Sequence, residues 1–178
     1  MDSINKQQPE ENKKNLNGSE AAKKIKELAE IAKSCFFCTG LKTGGAIKTR
    51  PMAIQKVDDE GILWFLSASD SHKNAEIKED PSIQIFLQGS SYTDYMTLYG
   101  TATISKSKEK IEELWEPMVK NWFTGGKDDP RITVIKFEPE TGYYWDTKNG
   151  IIVSFAKQIA GVLTGQTMDD SIEGLLKL

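Results

Sequence analysis

A chain of 178 residues is long enough for one domain with a sizeable core. Its net charge of −3 excludes the strong positive field that draws a protein to nucleic acid or acidic lipid. No stretch approaches the roughly 18 apolar residues of a membrane span, and Cys35 and Cys38 are too few for a disulfide framework.

The first 18 residues mix Asn, Gln, Lys and Glu with almost nothing to bury. Residues 1–18 are therefore expected to be a disordered tail, and 19–178 one domain. The same stretch has no apolar signal-peptide segment, which predicts a cytoplasmic protein. Ser19 then stands where a cap belongs, ahead of the helical stripe Ala21, Ile25, Leu28, Ala29 and Ala32. CFFCTGL reads as a short strand and LKTGG as a turn. AIKTRPMAIQKV and ILWFLSAS, joined by DDEG, predict a hairpin, with Pro51 marking an edge or a bulge.

Ser71 to Glu79 predicts a short helix stopped by Pro81. SIQIFLQ and DYMTLYGTATIS alternate with strand period. Ile111, Leu114, Trp115, Met118, Val119 and Trp122 then fall on one helix face, with a kink expected at Pro117. RITVIKFEP and GYYWDT read as two strands, VSFAKQIAGVL as a last helix, and the remainder as a polar tail. Six or so strands with tight turns and few helices predict a mainly β (α+β) fold, a small antiparallel barrel decorated by helices.

Cys35 and Cys38 have the spacing of a redox pair, yet such a pair places its first thiol at a helix N-terminus. Residues three apart in a strand point to opposite faces, so both read as small buried residues. His72 is the sole histidine, too few for a zinc site. Asp70, Ser71 and His72 are triad residue types, but neighbours in sequence cannot form a triad and no G-x-S-x-G elbow exists.

The stretch LWFLSASDSHKNAEI raises a sharper question. An apolar strand ends in three hydroxyls and a lysine where a helix begins, which fits either a capped turn or a phosphate site. Only two of the 23 basic residues are arginine, Arg50 and Arg131. The predicted hairpin brings Arg50 beside Ser69, Ser71 and Lys73, where one phosphate could meet all of them. Trp64, Phe65 and Met52 would line an apolar slot for a planar ring. Together these residues predict a phosphorylated aromatic cofactor.

TRPM, LWFLSASDSHKNAEI, YMTLYGTATI and ITVIKFEPETGYYW, in that order, resemble the FMN-binding split β-barrel proteins. Within them the chain is similar to the general stress protein branch of the pyridoxamine 5′-phosphate oxidase-like superfamily, over about residues 20–165. The resemblance implies an antiparallel six-stranded split β-barrel with flanking helices. It also implies a homodimer with FMN, or FAD as the alternative flavin, at the subunit interface. Carried onto this chain, Arg50 and the backbone near Met52 hold the flavin, and Trp64, Phe65, Leu66 and Ser67 contact it. Ser71 and Lys73 grip the phosphate with help from Ser69, and Trp145 closes the partner's site. Tyr143, Tyr144, Trp145, Trp122 and Phe123 exceed what a small core needs and predict an aromatic-rich dimer interface.

The oxidases themselves carry arginines near the C-terminus to hold the substrate's phosphate. This chain has none after Arg131, so oxidation of pyridoxamine 5′-phosphate is not expected. Two functions stand side by side: an FMN-dependent oxidoreductase of an unnamed small molecule, and a non-enzymatic flavin-binding, storage or sensing protein. A third reading is a split barrel holding heme or pyridoxal phosphate. No nucleic-acid or membrane partner is expected.

Overall fold

The structure, a computed structural model, describes residues 12–42, 44–90, 93–147 and 170–178. Helix α1 (Ser19–Ala32) buries Ala21, Ile25, Leu28 and Ala29, the stripe that its spacing predicts. Its N-cap is Gly18 rather than Ser19, and no side chain caps it. Among the described residues no helix is long and apolar enough to cross a membrane.

Nine strands form one sheet: β1 (Leu16–Asn17), β2 (Ser34–Thr39), β3 (Lys48–Ala53), β4 (Lys56–Val57), β5 (Leu63–Ala68), β6 (Ser82–Gln88), β7 (Tyr95–Ser105), β8 (Ile132–Thr147) and β9 (Ser171–Lys177). The order is β1-β9-β8-β7-β6-β2-β3, with β5 on the far side of β8 from β7 and β4 beside β5. The mainly β architecture with a few helices agrees with the sequence. The six-stranded antiparallel barrel does not follow from it. The sheet is mixed, because β1 runs parallel to β9, and among the described residues no ladder joins β3 to β5.

That opening corrects the predicted hairpin. Only Lys56 and Val57 pair with β5, opposite Trp64 and Leu63. The chain breaks at Ile54, whose N–H donates to the Lys33 carbonyl, and β3 turns away to pair with β2. Pro51 therefore lies on an edge strand, as its missing N–H requires.

Three other expectations change. Residues 12–18, expected in the tail, pack on the sheet: Leu16 is buried and pairs with Leu176. The two strands read from 131–147 are one strand, β8, which bends at Glu140, the residue left unpaired between the partners of Tyr99 and Gly100 in β7. The expected polar tail contains β9, and the helix read from VSFAKQIAGVL lies outside the described residues. At the bend, a Cβ on Gly100 would overlap the Glu138 carbonyl. Gly100→Ala should cost about 1–3 kcal/mol through backbone displacement. Thermal melting tests this, and an unchanged midpoint would refute it.

The segment after Ser107 holds helix α3 (Lys108–Leu114), which ends before Pro117 instead of kinking there. Glu116 is extended, as the ring of a following proline demands, and Pro117–Asn121 forms a short 3-10 turn. This restart breaks the predicted face. Val119 and Phe123 are buried with Ile111, Leu114, Ile132 and Val134, whereas Met118 and Trp122 are exposed. The main core lies inside the curved sheet under α1, where the Phe37 and Phe65 rings meet edge to face at 5.3 Å.

Cys35 packs in that core while Cys38 turns to the other face, its Sγ 3.3 Å from Thr49 Oγ1. Both are free, and burial pushes the Cys35 thiol up to about 12, so it is no nucleophile.

Candidate functional site

The gap between β3 and β5 is a cleft of ≈ 320 Å³, walled by Pro51, Met52, Ala53 and Gln55 on one side and Leu66, Ser67 and Ala68 on the other. Val119, Trp122 and Phe123 complete it, and Lys73 stands at one end. Lys73 also borders a second, open cavity of ≈ 540 Å³ lined by Lys48, Arg50, Ser71, His72 and Glu76. An apolar slot and a charged one thus share Lys73 as a common wall.

Helix α2 (His72–Glu79) sets the charged end. Ser71 is its N-cap residue, but its side chain makes no capping bond. Instead Ser67 Oγ and Ser71 Oγ both donate to Asn74 Oδ1, at 2.8 and 3.3 Å. Asn74 Nδ2 donates to Thr133 Oγ1 at 2.8 Å, and that hydroxyl donates to the Ser67 carbonyl. This buried network locks the β5–α2 turn to β8. The simple capping reading of the serines is therefore not what the structure shows.

Glu76 gathers the strand cations on the other side. Its Oε2 accepts from Thr39 Oγ1 at 2.6 Å and Arg50 at 2.7 Å, and Lys48 lies 3.1 Å from its Oε1. Burial alone would raise its pKa, yet the Thr39, Arg50 and Lys48 hydrogen bonds hold it down at about 2. Its stabilising contribution is complete above 4.5 and fades as pH falls toward that lowered value. Lys73 moves oppositely to an ion-paired lysine: burial first, then the Arg50 charge, pull it below 10.5, with Glu76 opposing. Three cations facing one carboxylate leave a net positive chamber, suited to an anion.

The structure thus places Arg50, Met52, Leu66, Ser67, Ser71 and Lys73 around two cavities that meet at Lys73. It does not bring the others there. Phe65 points into the core, and Trp64 packs toward α3, its ring 4.1 Å under Lys110 Nζ and its Nε1 donating to Asp58. The slot expected from Trp64, Phe65 and Met52 is built instead from Met52, Leu66 and the 3-10 segment: alternation turns Phe65 into the core, and Trp64, on the Leu66 face but two residues farther along β5, packs against Lys110 of α3. Ser69 lines a cavity on the other side of α2 with Lys78 and Lys106. Trp145 lies at the end of β8 opposite Tyr95, stacked on Tyr143 at 4.6 Å and 43% exposed.

Gln55, Glu76 and Trp122 were missed from sequence. Gln55 supplies a test of fit, since its Oε1 is buried with no hydrogen-bond partner among the described residues. An unmet buried acceptor costs about 1–3 kcal/mol. A planar ring bearing N–H groups would meet it, and the cations suit a phosphate on that ring. A flavin phosphate fits these residues.

The profile of a family described as Pyridoxamine 5′-phosphate oxidase like matches residues 20–169. The protein bli-3 of Neurospora crassa is 30% identical over 131 residues, 68% of this chain. General stress protein 26 of Bacillus subtilis is 32% identical over 81 residues, 44% of this chain. The matches span 63% and 57% of those two relatives' own lengths. A solved structure assigned as general stress protein 26 from Jannaschia sp. CCS1 superposes with a TM-score of 0.74 at 23% identity, covering 88% of this chain and 97% of that one. A general stress FMN/FAD binding protein from Xanthomonas citri gives 0.61 at 20% identity, over 74% and 91%. These two likenesses carry the fold.

Proposed function

The chain belongs to the pyridoxamine 5′-phosphate oxidase-like family, and on that premise we propose that it is a flavin-binding protein of the general stress type. Its preferred ligand is FMN, with the ring in the cleft between β3 and β5 and the phosphate against Arg50, Ser71 and Lys73. The observation that carries this reading is an apolar slot set beside a chamber of three cations, with Lys73 lining both. A structure named as an FMN/FAD binding protein shares the fold, which supports the flavin and leaves FAD as the rival. Titration with FMN, FAD and riboflavin tests the reading, and no binding of any of them by folded protein would refute it.

A bound flavin supplies electron or hydride transfer through its ring. The chain's own residues hold and orient it. Arg50 presents a planar fork to the phosphate while Glu76 keeps that fork in place. Met52 and Leu66 exclude water from the ring's flanks. Among the described residues Lys73 is the only titratable side chain lining the apolar cleft, so these residues contribute little acid–base chemistry there. That feature favours a second reading, a carrier or sensor of flavin rather than an enzyme. Steady-state turnover with a reduced nicotinamide and an acceptor separates the two. The two free, buried cysteines support a cytoplasmic setting.

Assembly as a homodimer completes this reading. Tyr144 and Phe123, expected at the interface, are core residues of one chain, Tyr144 donating its hydroxyl to the Lys14 carbonyl. The exposed outer face of the sheet supplies the surface instead, through Phe36, Phe86, Trp145 and Leu175.

The depressed pKa of Lys73 gives the binding a pH signature. A phosphate needs the ammonium form. The ratio of FMN to riboflavin affinity should rise through ~6 as the phosphate loses its second proton. It should then fall as pH climbs through the lowered Lys73 value, before the ordinary 10.5 is reached. Titrations across pH check this, and a ratio flat up to 10.5 would remove Lys73 from the phosphate site.

A further inference from the structure

The 3-10 segment after Pro117 has one face that is explained and one that is not. Val119 and Phe123 are 6% and 4% exposed and anchor it, whereas Trp122 is 67% exposed and has no side-chain hydrogen bond among the described residues. A large indole left open to water is unfavourable unless something covers it. Trp122 also lines the cleft, together with Met52 of the β3 wall and Leu66 of the β5 wall.

The segment is braced. Trp122 N–H and Phe123 N–H both donate to the Val119 carbonyl, at 3.0 and 3.3 Å. Beyond it, Arg131 donates twice to Asp129, through Nε at 3.0 Å and NH2 at 2.8 Å. The second arginine of the chain thus clamps the turn that follows the tryptophan. Gly125 lies tight against Asp129 in the same turn, where an added Cβ would meet the Asp129 Cβ at 3.1 Å.

We propose that Trp122 is the closing wall of the cleft and packs its indole against the flavin ring held between Met52 and Leu66. This rests on the flavin reading of the same cleft. It assigns ring recognition to the segment after Pro117, separately from phosphate recognition at Arg50 and Lys73. Trp122 therefore acts equally on flavins with and without a phosphate.

The test is titration of wild type, Trp122→Ala and Trp122→Phe with FMN and with riboflavin, followed by flavin fluorescence. Trp122→Ala should weaken both ligands by the same factor, about three- to tenfold, and the bound flavin should become more fluorescent. Trp122→Phe should recover most of the affinity. Wild-type binding together with unchanged affinity and fluorescence in Trp122→Ala would overturn the assignment while leaving the flavin reading intact. So would a Trp122→Ala protein that turns from dimer to monomer in light scattering, because the indole would then belong to an interface. Failure of wild type to bind either flavin would overturn both.

Discussion

Lys73→Ala should bind FMN about ten- to a hundredfold more weakly than wild type, while riboflavin affinity stays where it was. A hydrogen bond between charged groups contributes roughly 1.5–3 kcal/mol, and each 1.4 kcal/mol is a factor of ten. Lys73 is well placed to show this cleanly. Burial and the Arg50 charge already disfavour its ammonium, so its removal relieves the empty protein rather than stripping a partner from it. The melting temperature should hold or rise. Arg50→Ala should lose as much FMN affinity but also frees Glu76, whose carboxylate is only 12% exposed and depends on that guanidinium. Its melting temperature should fall. Arg50→Lys should keep the charge and lose the fork, so binding recovers only in part. Calorimetric titration of the two flavins against these variants decides the matter. If Lys73→Ala binds FMN like wild type, the lysine has no phosphate to hold.

The contrast between Lys73 and Ser71 shows what the sequence could and could not convey. The change from apolar strand to hydroxyls and lysine marked the junction correctly, and the scarcity of arginine singled out Arg50. Both signals are local chemistry. What failed depended on direction and distance. Phe65 and Ser69 lie within the same run as Leu66 and Ser71, yet strand alternation and the turn send them to the core and to the far side of α2. Only pairing partners fix which parity faces the gap, and the partner of β5 is β8, some 70 residues away in sequence. The hairpin expected between TRPM and LWFLS follows a sound local rule. Tertiary pairing of β3 with β2 overrode it, and that override opens the cleft. Trp122 was misread because the helical period was carried through Pro117. With the helix ended before that proline, the i, i+4 pairs Val119–Phe123 and Met118–Trp122 separate at once into an inner and an outer face.

Phe36→Asp should convert the protein to a monomer and weaken flavin binding in the same step. Pairing registers place Phe36 beside Phe86, Phe86 beside Thr97, Thr97 beside Tyr143, and Tyr143 beside Leu175, a row across five strands on one face of the sheet. Phe36, Phe86 and Leu175 are 58%, 48% and 49% exposed. Thr97 interrupts the row, but Phe36 and Phe86 lie side by side at one end and Leu175 beside Tyr143 at the other, and apolar side chains gathered on one exposed face in this way suit a contact surface. Pro51 lies opposite Phe36 and is also part of the cleft wall. On the proposed reading, a second copy seated on the row would reach the rim of the cleft at Pro51, where its Trp145 would close the site. In a two-fold interface one Asp per chain buries two carboxylates at once, each without a partner, and that penalty exceeds what the rest of a modest interface supplies. Phe36 is exposed in the single chain, so the fold should melt near the wild-type temperature. Light scattering at micromolar protein should give the monomer mass, and FMN affinity should fall at least about tenfold because half the enclosure is lost. Phe86→Asp, one strand over, should do the same. Dimers that persist in both variants with undiminished FMN binding would place the partner elsewhere and leave the row unexplained.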